Sequence, residues 1–179
     1  MSDGAAHRRW MLQIAYLTLG LLVIFVQLLP LTSMPSRWAG PDMFTVLTMV
    51  WMLRRPDAVP LVLVAMLGLI ADLLFQRPPG LWAAILVGLS DFLRRREEGL
   101  RDAPFPVEWG VVALAYVAGS ILYRLIQTLF LLPNAPLGLT VTQMIMTIAA
   151  YPPSVLALNY LLGLRRAAPG EVDALGHKR

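Results

Sequence analysis

Six apolar runs, separated by breaks rich in proline and arginine, leave few folds open to this chain. They cover about Trp10 to Leu31, Met43 to Leu53, Ala58 to Phe75, Gly80 to Leu93, Val107 to Leu132 and Leu137 to Leu164. The first is long enough to cross a ~30 Å hydrocarbon core as a helix rising ~1.5 Å per residue. The second and fourth are short. In lipid every backbone N–H and C=O must be satisfied internally, so only helices and closed barrels can span it. A barrel needs segments of roughly 10 residues with alternating polarity. The stretch Leu61-Val62-Leu63-Val64-Ala65-Met66-Leu67 shows no alternation, and leucine, alanine and methionine favour helix. The breaks carry turn chemistry: Pro41-Asp42, Arg55-Pro56-Asp57, Pro78-Pro79-Gly80, Pro104 with Pro106, and Pro133-Asn134-Ala135-Pro136.

Composition points the same way. Hydrophobic residues make up 58% of the chain and charged ones only 15%. A soluble domain carries about a quarter charged residues. A soluble enzyme, a disordered tail and a disulfide scaffold are therefore disfavoured. There is no cysteine, and the two histidines, His7 and His177, lie near opposite ends. No histidine-centred triad, metal-ligand spacing or glycine-rich phosphate loop is present. The sequence predicts no cofactor, no metal and no catalysis.

The net charge of +4 comes from cations clustered between apolar runs, which speaks for membrane flanks over nucleic acid. With six crossings and a cytoplasmic N-terminus, the inside segments hold Arg8, Arg9, Arg54, Arg55, the Arg94 to Arg96 triplet, Arg101, Arg165, Arg166, Lys178 and Arg179. The outside segments hold Arg37 and Arg77, and Arg124 lies within the fifth run. That asymmetry predicts a six-helix transmembrane bundle over 1–166, with both termini cytoplasmic and a polar tail at 167–179. The His7-Arg8-Arg9 start resembles a signal peptide, but the apolar stretch exceeds the usual h-region of about 7–15 residues and lacks a small-x-small site before Pro35. It reads as an uncleaved first helix. Arg94 to Asp102 reads as a cytoplasmic loop that could touch membrane lipid.

Ionisable groups inside apolar runs are functional suspects, because each costs several kcal/mol unless paired or wet. Asp42, Asp72 and Arg124 qualify. With snorkelling, Arg124 could reach Asp72 or Asp42, pinning helices or holding a ligand or partner. Asp42 reads better as a helix cap. Asp91 is set for a local pair with Arg95, and Glu108 for a helix-start acid. The tryptophans at run ends, Trp10, Trp38, Trp51, Trp82 and Trp109, suggest an interfacial belt. Met43, Met49, Met52, Met144 and Met146 read as adaptable packing. Gly110, Gly119 and Ser120 could permit close helix approach. Tyr151-Pro152-Pro153-Ser154 should kink or interrupt the sixth helix.

Four pieces of the stretch from Pro41 to Leu81 occur together in order: Pro41-Asp42 opening a short apolar helix, Trp51-Met52-Leu53-Arg54-Arg55-Pro56, Gly68-Leu69-Ile70-Ala71-Asp72-Leu73-Leu74, and Pro79-Gly80-Leu81. In these the chain resembles the MreD family of bacterial rod shape-determining proteins. The resemblance implies a non-catalytic inner-membrane subunit of the cell-wall elongation machinery. It implies association with MreC and, through it, with MreB, RodA and RodA's partner transpeptidase. It also implies a fold similar to the substrate-binding subunits of energy-coupling-factor transporters, with a potential outward-facing cavity. Asp42 and Asp72 match recurring acidic positions of the family. The alternative expectation is a ligand-binding membrane subunit of a vitamin-type transporter.

Overall fold

The computed structural model describes residues 2–29, 39–56 and 58–162. Arg37, Trp38, Asp57, the cations from Arg165 onward, the tail at 167–179 and the cleavage question near Ser36 lie outside the described residues. The described chain is all-helical: α1 (Ser2–Leu28), α2 (Met43–Arg54), α3 (Leu61–Leu74), α4 (Leu81–Arg101), α5 (Phe105–Leu129) and α6 (Leu137–Leu162). Three stretches, Arg9–Leu28, Phe105–Leu129 and Leu137–Leu161, are long and apolar enough to cross a membrane. Less than a third of each is buried within the fold, so most of their apolar surface faces outward.

The short α2 is the inner rod. Every residue from Phe44 to Arg54 is buried, as befits a helix apolar on all sides. Around it pack α1, α4 and α6; α4 also packs on α3 and α5. From α1, Tyr16 and Ile24 enter the core. The Tyr16 hydroxyl lies 2.9 Å from Thr48 Oγ1, and its ring meets Trp51 edge-on at 5.4 Å.

The close approach of α4 to its neighbours is set by two glycines. A Cβ on Gly68 would lie 3.1 Å from the Ala83 Cα, so α3 and α4 touch backbone to backbone. A Cβ on Gly119 would meet Leu89 at 2.9 Å, which lets α5 lie on α4. Gly110 faces open space and has no such role.

Three expectations change. The loop expected at Arg94 to Asp102 is helix as far as Arg101. Arginine and glutamate are good helix formers. The stretch is stitched by Arg95–Asp91 at 2.7 Å and Arg101–Glu97 at 2.8 Å, both i,i+4, while Leu93 and Leu100 are buried on one face. Hydropathy fell there, but helix propensity did not. Second, Trp51 and Trp82 are core residues and not an interfacial belt; Trp10 and Trp109 are partly exposed. Third, of the kink or interruption expected of α6, the interruption is absent: the helix runs on through Pro152 and Pro153. Proline at 152 offers no N–H to the Ile148 carbonyl four residues earlier. The Trp109 Nε1–H of α5 donates to that oxygen at 2.9 Å, so the freed acceptor is satisfied from a neighbouring helix.

Candidate functional site

Polar side chains gather at both ends of α2, and the two gatherings differ. At the Arg54 end, Arg54 Nη2 lies 2.9 Å from Glu108 Oε1, and the Tyr151 hydroxyl donates to the same oxygen at 2.6 Å. All three residues are buried. The Tyr151 ring stacks on Phe105. This cluster joins α2, α5 and α6. Glu108 is thus more than a helix-start acid, and Arg54 more than a flanking cation. Neither was distinguishable in sequence, because the partners are 54 positions apart. What could have drawn attention was one acid and one phenol standing in otherwise apolar runs.

At the other end, α2 begins, α3 ends and α4 begins. Asp42 is an N-cap: its Oδ1 accepts from the Thr45 N–H at 3.1 Å. Its own N–H donates to Thr147 Oγ1 at 2.9 Å, docking the helix start on α6. The Trp82 indole donates to Thr45 Oγ1 at 3.2 Å.

Asp72 is a cap as well, but for another helix. It lies fully buried in α3 and its Oδ2 accepts from the Ala83 N–H at 3.0 Å. Ala83 is the third residue of α4, whose start has no capping side chain of its own. A carboxylate from one helix thus satisfies an orphan N–H of the next and suits its dipole.

Arg124 does not pair with Asp72 or Asp42. Its Nη1 donates to the Ala135 carbonyl at 3.0 Å and to Thr140 Oγ1 at 3.1 Å, and among the described residues it has no carboxylate partner. The reason is local. The α5–α6 connection folds back over the end of α5 and offers its own acceptors. Arg77 takes the place expected of Arg124, its Nη1 lying 3.7 Å from Asp42 Oδ2.

Both helices that end here close in the same way. After α3, Gln76 has φ 55°, with the Arg77 N–H on the Asp72 carbonyl and the Gln76 N–H on Leu73. After α5, Leu131 has φ 54°, with the Leu132 N–H on Gln127 and the Leu131 N–H on Thr128. These are Schellman closures with a side chain where glycine is usual, a strain of roughly 1–2 kcal/mol each. The first directs Arg77, and the second the loop that holds Arg124, toward one space.

That space is a half-open cavity of about 470 Å3, bordered by Asp42, Arg77, Trp82, Arg124, Gln127 and Gln143 among others. The structure therefore brings Asp42 and Arg124 to one cavity, while Asp72 serves as a cap. Sequence reading overlooked Arg77, Gln127 and Gln143. A glutamine inside each of the fifth and sixth apolar runs was the available signal. Among the described residues no group of three histidines, aspartates or glutamates could hold a metal ion.

Comparison with protein-family models, with curated proteins and with solved structures gives no significant match. The all-helical fold and its outward apolar faces define the chain as one with helices suited to a membrane.

Proposed function

We propose that the chain is a non-catalytic integral subunit of the bacterial cell-wall elongation machinery, of the MreD kind, that scaffolds lateral peptidoglycan synthesis by binding MreC. In this reading all six helices cross the inner membrane and both termini are cytoplasmic. The observation that carries it is the ordered set of motifs from Pro41 to Leu81. Its two acids, Asp42 and Asp72, cap α2 and α4 at the same end of the fold, so the motif set corresponds to one structural unit. The distribution of cations supports the orientation: Arg54 and the Arg94 to Arg96 triplet stand at the end opposite Arg77. At 12 and 14 residues, α2 and α3 are about 18 and 21 Å long, so they cross within the bundle with local adaptation of the bilayer.

Depletion in a rod-shaped host tests the role. Rounding and lysis are expected, together with co-purification of MreC from mild detergent. Unchanged shape with a nutrient-uptake defect would overturn the reading in favour of a transporter's ligand-binding subunit, which the cavity makes the second choice. Reporter fusions at the two termini check the topology, and signals from different compartments would refute it.

A further inference from the structure

The cavity contains more hydrogen-bonding capacity than the protein uses. Gln127 is only 8% exposed, yet among the described residues its side-chain amide has no hydrogen-bond partner. The amide borders the cavity, so its donors and acceptor are open to whatever enters it. The Arg77 side chain makes no hydrogen bond within the described residues. Its guanidinium lies over the Phe75 ring and 3.7 Å from Asp42, a loose pairing for a group with five N–H donors. Arg124 commits only Nη1. Among the residues bordering the cavity these two cations face one carboxylate, Asp42, whose Oδ1 is already spent on the Thr45 N–H, while Asp72, committed to the Ala83 N–H, lies behind Arg77. The lining of the cavity is net positive, and its volume of about 470 Å3 suits a small organic ligand. At the opposite end of α2 the same residue types satisfy one another directly, so the surplus belongs to this site and not to the composition.

We propose that this cavity binds a phosphate ester with a hydroxyl- or amino-bearing head. Arg77 and Arg124 hold the phosphate oxygens, the Gln127 amide donates to them, and Asp42 Oδ2 accepts from the head. Guanidinium forks match the planar spread of phosphate oxygens, and charge-assisted bonds of this kind are about twice as strong as neutral ones. The chemistry is shared by a phospholipid headgroup and by a soluble phosphate ester. The site stands on the cavity alone and does not depend on the proposed partner.

The test is calorimetric titration of the full chain in detergent with sn-glycerol 1-phosphate and with dihexanoyl phosphatidylglycerol. At least one probe should bind the wild type. Arg124→Gln and Gln127→Leu should each weaken it by about tenfold, the loss of one charged or well-made hydrogen bond. Gln127→Leu should melt close to wild type, because the amide it removes has no hydrogen-bond partner among the described residues. Loss of binding with retained stability is an outcome that a packing role for Gln127 does not produce. If Gln127→Leu fails to fold, Gln127→Glu replaces it and must weaken binding at least as much by setting a negative charge against the phosphate. Comparable binding of both probes identifies a soluble ester, and binding of the acylated probe alone identifies a lipid headgroup; either supports the site. Binding of neither probe, or equal binding by wild type and variants, overturns it.

Discussion

Two arginine–carboxylate pairs stand at opposite ends of α2, and they are built differently. Arg54 and Glu108 meet at 2.9 Å with side chains 7% and 1% exposed, and Tyr151 adds a third bond. Arg77 and Asp42 stand 3.7 Å apart beside an open cavity, with Arg77 26% exposed. The first pair has traded water for a close ion pair and a phenol hydrogen bond, the kind of partnering under which buried charges are tolerated. The second keeps most of its donors unspent beside the open cavity. Identical residue chemistry thus closes one end of the molecule and leaves the other receptive. What separates them is whether neighbouring helices deliver a third polar group, as α6 does with Tyr151.

The largest effect should come from the closed end. Glu108→Ala leaves Arg54 buried without its carboxylate and should cost about 3–5 kcal/mol in thermal or denaturant unfolding. Replacing both Arg54 and Glu108 with leucine should cost far less. If the double variant is as damaged as the single one, the pair does not act as a unit. Next, Tyr151→Phe removes a hydrogen bond to a charged acceptor, and a loss of about 1.5–3 kcal/mol is expected. Asp72→Ala strips the α4 cap and should cost about 1–2 kcal/mol, with faster amide exchange at Ala83 as its local signature. At the open end, Arg77→Gln should cost at most about 1 kcal/mol, because the 3.7 Å pairing is loose and Arg77 partly exposed. A larger loss would make the cavity end as structural as the other and erase the contrast. The smallest change should be a gain: Gln76→Gly relieves the left-handed backbone at the close of α3 and should raise stability by up to about 1 kcal/mol.

The helices were largely legible because hydropathy and turn residues agreed. The run Met43 to Leu53 is α2 (Met43–Arg54), and Leu137 to Leu164 is α6 as far as Leu162. Agreement failed at α4, where charge replaced apolarity while the i,i+7 spacing of Leu93 and Leu100 carried the helix onward. Of the site, Asp42 was readable as a cap because capping is a local act, three residues from donor to acceptor. Asp72 stood out as an acid in an apolar run, but its partner is set by the backbone contact of α3 with α4 at Gly68, a tertiary fact. Arg124 stands out as a cation in an apolar run and borders the same cavity as Asp42, but its companions are Ala135 and Thr140 in place of the expected carboxylates. The companions depend on how the loop after Leu131 folds back, and a left-handed leucine gives no sequence warning.

The bond from Trp109 to the Ile148 carbonyl has a mechanical consequence. A double proline is the natural flexing point of α6, and that point is tied to α5 across the very gap the prolines open. Bending there would first have to break the tie, so α5 and α6 are coupled as one stiff lever. Arg124 and Gln127 of α5 and Gln143 of α6 thus border the cavity from one braced wall, which the Arg54–Glu108–Tyr151 knot ties to α2 at its far end.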